Sequence, residues 1–285
     1  MPDIAFLNEK FLPLDRAMVS VEDRGFQFGD GVYELIRAYG GRLFHVENHI
    51  RRLLQSLDSI QLPGVYPMDQ WRSILEMALE KSGYTEAKIY LQVTRGVSPR
   101  QHPFPEKVIP TVVVTVRKMD IFPEDYQKEG VSVITMPDLR WARCDVKSIN
   151  LLPNILAKQK AKEEGALEAL FIRDGQVQEG AGSNVFSLKG DRLITPAEGN
   201  RILSGVTRGA LIGLAKAMGL QVFEEDLELN ALYSSDEVLL TATSMEILPV
   251  VRIDKKVIGS GKPGPIQKKL YQDFLNGLSR YKKGS

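Results

Sequence analysis

The first half of the chain alternates between two spacings of apolar residues. Val46, Ile50 and Leu53 recur at intervals of three or four residues, which predicts an amphipathic helix that is ended by Pro63-Gly64. Shorter apolar runs bounded by turn residues predict strands instead. Together the patterns give helices at 46–60 and 71–79 and strands at 4–6, 10–12, 32–39, 89–94 and 112–116. This half is therefore predicted to be an α+β unit.

The second half contains more of the short apolar runs. Residues 119–130 are polar, contain Pro123 and show no period, so we predict a connection between domains there. The later runs give helices at 153–164, 207–218 and 266–278 and strands at 131–135, 169–172, 185–188, 193–195, 238–241 and 250–253. The predicted fold is α+β in two domains, with a small N-terminal α+β domain at 1–118, the connection at 119–130 and a larger, β-rich C-terminal domain at 131–285.

Composition excludes several classes of protein. The 285 residues are 43% apolar, enough for two domain cores, and the 37 basic and 36 acidic residues argue against a nucleic-acid partner. The single cysteine, Cys144, excludes a disulfide framework and suits a reducing compartment. No apolar run is long enough to span a bilayer, and the first residues do not begin a secretory signal. We therefore expect a cytoplasmic protein with no membrane partner.

Two further patterns point to chemistry that the surrounding residues do not support. His45 and His49 are four residues apart, the spacing of a zinc pair, but no third ligand is evident, so we expect no metal. Residues 259–262 read Gly-Ser-Gly-Lys, but Pro263 stands where a phosphate-binding loop needs Ser or Thr. Surface or capping histidines and a hairpin turn are the preferred interpretations.

A lysine and an acid lie in settings that favour cofactor chemistry. Lys147 follows two arginines in an apolar setting; burial and nearby cations lower the pKa of a lysine, and a neutral amine forms imines with carbonyls. Residues 178–184 predict a turn of small residues that carries Glu179, and residues 202–208 lead into a helix whose amino terminus can bind a phosphate. Each alone is more simply a solvated lysine or a chain reversal. Their combination in one domain suggests pyridoxal 5′-phosphate (PLP).

Four blocks of the sequence resemble the class IV aminotransferases, which are PLP enzymes of fold type IV. The blocks are residues 23–34, 145–150, 179–184 and 205–208, and they occur in the order found in that family. Within the family, residues 94–104 resemble those of the D-amino-acid aminotransferases. The resemblance implies the two-domain fold type IV, a PLP site in the larger domain and a homodimer.

The same resemblance implies an activity. It indicates transamination of D-amino acids, in which D-alanine and 2-oxoglutarate give pyruvate and D-glutamate. The alternatives are a branched-chain L-amino-acid aminotransferase and an aminodeoxychorismate lyase of the same fold.

By this resemblance, individual residues acquire roles at the cofactor. Lys147 forms the internal aldimine and then moves the proton between the substrate Cα and the cofactor C4′. Glu179 holds the protonated pyridine nitrogen, Arg52 binds the phosphate, and Leu203 packs against one face of the ring. The further phosphate contacts are implied for Val206, Thr207 and Thr243.

The resemblance also implies a trap for the substrate α-carboxylate. Tyr33, Arg100 and His102 form this trap, with the last two contributed by the partner subunit. Ala181 and Gly182 depart from the pattern, because D-amino-acid aminotransferases commonly have serines there, and each hydrogen bond removed is typically worth about 1 kcal/mol.

Overall fold

The computed structural model describes residues 3–62, 65–119 and 123–281, and within them the chain forms two compact units. The first unit takes in the described residues of Met1–Asp120, Val146–Asn150 and Leu278–Ser285, and the second those of Ile121–Asp145 and Leu151–Gly277. Residues 146–150 thus pack with the first unit although they lie inside the stretch expected to form the larger domain. The domain limits of 1–118, 119–130 and 131–285 stay a prediction.

The described part of the first unit is built on an antiparallel sheet. Its strands are β1 (Ile4–Leu7), β2 (Lys10–Pro13), β3 (Gly31–Tyr39), β4 (Arg42–Leu43), β5 (Ala87–Thr94) and β6 (Thr111–Lys118). They lie in the order β2-β1-β6-β5-β3-β4. The helices are α1 (Arg24–Phe28), α2 (Val46–Ser59) and α3 (Met68–Ser82), with 3-10 turns at Leu14–Arg16 and Leu278–Tyr281.

Helices α2 and α3 pack on the sheet through its alternating buried positions. Val32 and Ile36 on β3 are fully buried and share one apolar core with Ile50 and Leu53 of α2 and Trp71 of α3. Burial of this apolar surface is the main stabilising contribution to the unit.

The elements predicted for this half are confirmed, with one end that falls outside the described residues. Helix α3 ends before Gly83, which adopts the left-handed conformation (φ +70°) that a helix end favours. Helix α2 ends at Ser59. The end predicted at Pro63-Gly64 lies outside the described residues.

The second unit is built on a mixed sheet. Its strands are β7 (Val131–Pro137), β8 (Glu168–Arg173), β9 (Gln176–Gly180), β10 (Asn184–Lys189), β11 (Arg192–Thr195), β12 (Gln221–Glu224), β13 (Leu227–Glu228), β14 (Glu237–Ala242), β15 (Glu246–Ile253) and β16 (Lys256–Val257). They lie in the order β12-β11-β10-β14-β15-β7-β8-β9-β13, with β16 beside β15. The helices are α4 (Asp125–Lys128), α5 (Leu152–Glu163), α6 (Val206–Ala217), α7 (Leu229–Tyr233) and α8 (Pro265–Gly277).

Three sequence predictions for this half need correction. Residues 259–262, predicted as a hairpin turn, instead form turns that connect β16 to helix α8. The stretch 178–184 is not all turn, because Gln178 and Glu179 are buried residues of strand β9 and only residues 181–183 reverse the chain before β10. The stretch 119–130 contains the short helix α4 within its described part. The other predicted strands and helices of this half are confirmed. None of the described helices is both long and apolar enough to cross a membrane.

Candidate active site

Backbone hydrogen bonds hold the segment that contains Lys147 against the edge of β3. The N–H of Tyr33 donates to the Lys147 carbonyl (2.9 Å), and the N–H of Ile149 donates to the Gly31 carbonyl (3.1 Å). The Lys147 N–H donates to Ser56 Oγ on α2 (3.2 Å). Strand β4 pairs only with Ala38 and Tyr39 at the far end of β3. The segment 147–149 covers the start of the same strand, which β4 does not reach. The half-buried amine then lies 4.4 Å from the centre of the Tyr33 ring.

A buried carboxylate and two basic side chains form a cluster on the core side of β3. Glu34 lies at a buried position of the strand and accepts two hydrogen bonds from Arg52, Nε to Oε1 at 2.7 Å and Nη2 to Oε2 at 2.8 Å. The Nδ1 atom of His49 lies 2.8 Å from the same Oε2. Helix α2 presents both partners because positions three residues apart share a helix face.

The charges in this cluster fix its ionisation. Burial alone raises the pKa of Glu34, but the charge and hydrogen bonds of Arg52, followed by those of His49, hold that pKa well below its ordinary value. Burial lowers the pKa of His49, with the charges of Arg52 and Lys147 acting the same way against the opposing effect of Glu34. At neutral pH the cluster therefore consists of a carboxylate, a guanidinium and a neutral imidazole.

The loop that carries Arg100 and His102 is held by a buried arginine. Arg24 donates from Nη1 to the Gln101 carbonyl (2.6 Å) and from Nη2 to the His102 carbonyl (3.2 Å). Its Nε donates to Asp30 Oδ2 (2.8 Å), which fixes the guanidinium. Arg24 thus fixes the backbone of this loop. The exposed side chains of Arg100 and His102 therefore extend from a fixed backbone.

The three residues of the expected carboxylate trap fall into two groups within the chain. Arg100 donates to the Gln27 carbonyl (3.1 Å) and lies over the Phe28 ring at 4.4 Å, and His102 also lies beside Phe28. Tyr33 instead stacks on Tyr90, with ring centres 5.7 Å apart, and faces the Lys147 amine. Among the described contacts of one chain, the trio is not brought together.

In the second unit, Glu179 lies one residue before the end of strand β9, inside a network of donors. Arg140 Nη1 donates to its Oε1 at 2.5 Å, while Asn184 Nδ2 (3.2 Å) and the Leu203 N–H (3.0 Å) donate to its Oε2. Arg140 is fixed in turn by two hydrogen bonds to Asp138. Burial alone lowers the pKa of Arg140, but its Asp138 hydrogen bonds and the charge of Glu179 raise that pKa above its ordinary value. These donors stabilise Glu179 as a carboxylate.

The expected phosphate residues of this unit surround a helix start and a strand end. Val206 and Thr207 are buried in the first turn of α6, where backbone N–H groups have no partners within the helix. Thr243, partly buried, directly follows β14. Leu203 precedes the helix, and its carbonyl accepts from Asn184 Nδ2 (2.9 Å), which fixes the chain leading into α6.

The residues around Lys147 in sequence do not act as expected from their spacing alone. Arg140 and Arg143, predicted to lower the pKa of the lysine, are paired with Glu179 and Asp145 respectively. Cys144 is buried, and burial raises its pKa to about 11. The thiol is therefore a packed, un-ionised group at neutral pH.

Sequence reasoning missed several residues of these networks. Glu34 lies inside the resembling block 23–34, and an acid among the alternating apolar residues of a buried strand is itself a signal of a buried polar cluster. The expectation of a surface or capping histidine is wrong for His49, which is fully buried on the same apolar helix face as Leu53. Asp138 and Asn184 carried no recognisable pattern. No group of three or more potential ligands among the described residues could hold a metal ion.

Comparison of the sequence with known proteins identifies the family of this chain. The sequence matches the family model for amino-transferase class IV over residues 31–253. The chain belongs to the class IV aminotransferases. It is 39% identical to the D-alanine aminotransferase of Staphylococcus haemolyticus over 269 residues, 94% of this chain and 95% of the relative. It is 42% identical to the D-alanine aminotransferase of Listeria monocytogenes serotype 1/2a (strain 10403S) over 276 residues, 96% of each chain.

Solved structures of class IV aminotransferases confirm the fold. The branched-chain amino acid aminotransferase from Escherichia coli superposes with a TM-score of 0.88 at 27% identity, covering 97% of this chain and 94% of that one. The branched-chain aminotransferase from the thermophilic archaeon Thermoproteus uzoniensis, solved with norvaline, gives 0.87 at 25% identity, covering 98% and 96%. The predicted family and fold are confirmed, and the chain is an aminotransferase, an enzyme whose substrates are amino acids and oxo acids.

Enzymes of this family use PLP, and each unit contains residues whose chemistry fits part of that cofactor. The first unit supplies an amine at Lys147 and a guanidinium at Arg52. The second supplies an ionised acid at Glu179 and a helix start at Val206. It also contains Thr241 Oγ1, a buried hydroxyl with no hydrogen-bond partner among the described residues. An imine-forming amine, an acid for the ring nitrogen and cationic or N–H groups for the phosphate form the donor set that PLP requires.

Proposed function

We propose that this class IV aminotransferase acts on D-amino acids, transferring the amino group of D-alanine to 2-oxoglutarate to give pyruvate and D-glutamate. The observation that supports this most is the 39–42% identity to D-alanine aminotransferases over at least 94% of the chain. The two branched-chain enzymes share the fold at only 25–27% identity. We also propose a cytoplasmic location and no nucleic-acid partner, as the single cysteine and the balanced charge favour.

Lys147 is the proposed catalytic base. When bound, PLP supplies an aldehyde carbon that carries the amino group and a ring that withdraws electrons from the carbon losing its proton. The amine of Lys147 holds and returns that proton, and hydrogen bonds of the Lys147 backbone with Tyr33 and Ser56 fix the point from which its side chain extends. Glu179, kept anionic by Arg140, accepts the hydrogen bond of the protonated ring nitrogen.

The phosphate is proposed to bind to groups that the fold has already oriented. Arg52 is held by Glu34, so its guanidinium loses little side-chain entropy when it binds an anion. Val206 and Thr207 add backbone and hydroxyl donors at the start of α6, and Thr243 adds a further hydroxyl. Leu203 packs against the ring, with its backbone fixed by Glu179 and Asn184.

The carboxylate trap is proposed to be completed in a homodimer. Within one chain Tyr33 lies beside Lys147, whereas Arg100 and His102 lie beside Phe28. We infer that Arg100 and His102 act at the partner subunit's Lys147. Exposed apolar side chains in the segments around this loop support an interface there: Met18, Val21, Phe26, Val97, Phe104 and Ile109.

The substrate preference is tested by offering D-alanine and L-leucine separately, each with 2-oxoglutarate. We expect pyruvate and D-glutamate from D-alanine and at least tenfold slower turnover of L-leucine. Lys147→Ala should abolish this transamination together with the visible absorbance of lysine-bound PLP, and Lys162→Ala, an exposed lysine of α5, should change neither. Turnover of L-leucine alone, or pyruvate release from aminodeoxychorismate without an oxo acid, would refute the proposal in favour of the corresponding alternative.

A further inference from the structure

One nitrogen of the buried His49 ring is paired and the other is not. His49 is fully buried on α2, with Nδ1 2.8 Å from Glu34 Oε2. Because an ionised carboxylate only accepts hydrogen bonds, the ring hydrogen of neutral His49 lies on Nδ1. Nε2 is then a lone-pair acceptor, and it has no hydrogen-bond partner among the described residues. Leaving such a buried group unpaired is unfavourable.

The Glu34–Arg52 pair beside the His49 ring carries no net charge. Glu34 from β3 and Arg52 from α2 cancel each other, and Lys147 from the segment 146–150 is the third charged group that acts on the ring among the described residues. A phosphate monoester carries a charge of about −1.5 to −2 at neutral pH. Bound at Arg52, it would meet a guanidinium whose charge Glu34 already balances.

We propose that His49 takes up a proton from solvent when an anionic group binds at Arg52, and so acts as a positioning residue for the cofactor phosphate. The inference rests on the proposed function, which assigns the phosphate to Arg52. A proton on Nε2 turns the unpaired acceptor into a donor and gives the cluster a net positive charge. Glu34 then bridges two cations, the imidazolium through Oε2 and the guanidinium through both oxygens.

This coupling predicts that the anion binds more weakly as pH rises. In the ligand-free chain, burial and the charges of Arg52 and Lys147 keep His49 neutral, with the Glu34 carboxylate as the opposing influence. The proton must therefore be acquired on binding. One linked proton makes the dissociation constant rise about tenfold per pH unit over the range where only the complex is protonated.

The first experiment counts protons instead of turnover. Pyridoxine 5′-phosphate, which has an alcohol in place of the aldehyde and forms no imine with Lys147, is titrated into the full chain freed of cofactor. Calorimetry at pH 7.5 in two buffers of different ionisation enthalpy gives the number of protons taken up. His49→Asn keeps a donor near the Nδ1 position but cannot be protonated. His45→Asn is the matched control, because it removes the histidine just before the same helix and Asn tolerates the left-handed conformation (φ +46°) found there.

We expect the wild type and His45→Asn to take up close to one proton more than His49→Asn. The probe's own protons cancel in this comparison. Equal uptake by the wild type and His49→Asn, with the probe bound in both, would show that His49 does not change its charge. Absence of probe binding by the wild type would instead overturn the phosphate assignment, and the inference with it.

A second measurement needs no variant. The chain contains three histidines, so ¹³C labelling of their Cε1 atoms gives three signals. His49 is expected to give the signal that stays at the neutral position as the free protein is titrated from pH 8 to pH 6. Addition of pyridoxine 5′-phosphate at pH 7.5 should move that signal to the protonated position. A signal that stays neutral with the probe bound contradicts the inference and leaves the proposed function standing.

Discussion

At the scale of single residues, Glu34 is the most costly group for this protein to bury. It lies among apolar residues of β3 and is compensated by three hydrogen-bonding atoms of Arg52 and His49. Such a pair adds little net stability compared with an apolar replacement, but removing one partner leaves an uncompensated buried charge. The carboxylate is therefore a residue on which both stability and the orientation of Arg52 depend.

Glu34→Gln is expected to lower the free energy of unfolding by about 3–5 kcal/mol at neutral pH, because Arg52 loses its buried counter-charge. Urea unfolding measures this change. Glu76→Gln is the matched control, since Glu76 pairs with Arg72 on the exposed surface of α3, where such a pair is worth about 0–1 kcal/mol.

The pH dependence of the Glu34 variant has a definite sign. The pKa of Glu34 is lowered in the folded chain, so its contribution is complete above the unfolded value of about 4.3 and is lost as pH falls toward the folded value. The difference between the wild type and Glu34→Gln should narrow as the pH is lowered below about 4.3. A difference that stays constant or widens there would contradict the assigned ionisation.

At the scale of elements, the turn after β9 places Glu179. The Gly180 N–H donates to the Ser183 carbonyl (2.7 Å), and Glu168 Oε2 accepts from the Gly182 N–H (3.2 Å) and Ser183 Oγ (3.1 Å). Glu168 is itself fully buried on β8. The turn is thus fixed by a neighbouring strand, and Glu179 comes directly before it.

Gly180→Ala should destabilise this turn by about 1–3 kcal/mol. A Cβ there would lie 2.1 Å from Ser183 Oγ, so the hydroxyl must move and leave its hydrogen bond to Glu168. At Gly182, by contrast, a Cβ would meet only Glu168 Oε2 at an ordinary 3.8 Å. Both substitutions remove a glycine from the same turn, so the difference in their urea midpoints isolates the contact. Equal midpoints would show that the turn absorbs the extra methyl group.

How much the sequence predicts differs from element to element. Helices α2 and α3 are predictable because their apolar residues repeat every three or four positions, and the Gly83 end follows from local conformation alone. Strand β9 was missed because Gln178 and Glu179 are polar residues buried by distant partners such as Arg140. The spacing of apolar residues does not reveal a polar residue that is buried by a partner distant in the sequence.

For the candidate site too, some residues could be named from the sequence and others could not. Lys147, Glu179 and Arg52 are named from motif resemblance, and the roles given to them and to the other site residues stay predictions. The pairing of Glu34 with Arg52 and His49 could not be named, because it requires β3 and α2 to pack together. A resemblance of motifs identifies the residues that contact a ligand. It is less informative about the residues that hold those residues in place.

At the scale of the whole molecule, the proposed homodimer makes the exposed loop face of the first unit part of the catalytic machinery. Phe26 of α1 is 77% exposed and lies two residues before Phe28, the ring on which Arg100 lies. Burying such side chains against a second copy would remove apolar surface from water. The same contact would carry Arg100 and His102 to a neighbouring site.

Phe26→Lys should therefore convert a dimer into a monomer and reduce the use of D-alanine at least tenfold, because the monomer lacks the second copy's carboxylate trap. Sedimentation velocity measures the first effect and the transamination rate the second. Met77→Lys, at an exposed apolar residue of α3, should leave the chain dimeric. A monomeric wild type, or a Phe26→Lys variant that sediments as the Met77→Lys variant does, would remove this interface.

The edge of β3 that the lysine segment covers has a consequence for synthesis on the ribosome. Residues 31–33 complete their hydrogen bonds only with residues 147–149, and the 3-10 turn Leu278–Tyr281 joins the same unit still later. Until more than half of the 285 residues have been translated, the nascent chain exposes an unpaired strand edge, the kind of surface that recruits chaperones or a second nascent chain. Arrival of the Lys147 segment therefore closes that edge at the same moment as it delivers the amine that we propose as the catalytic base.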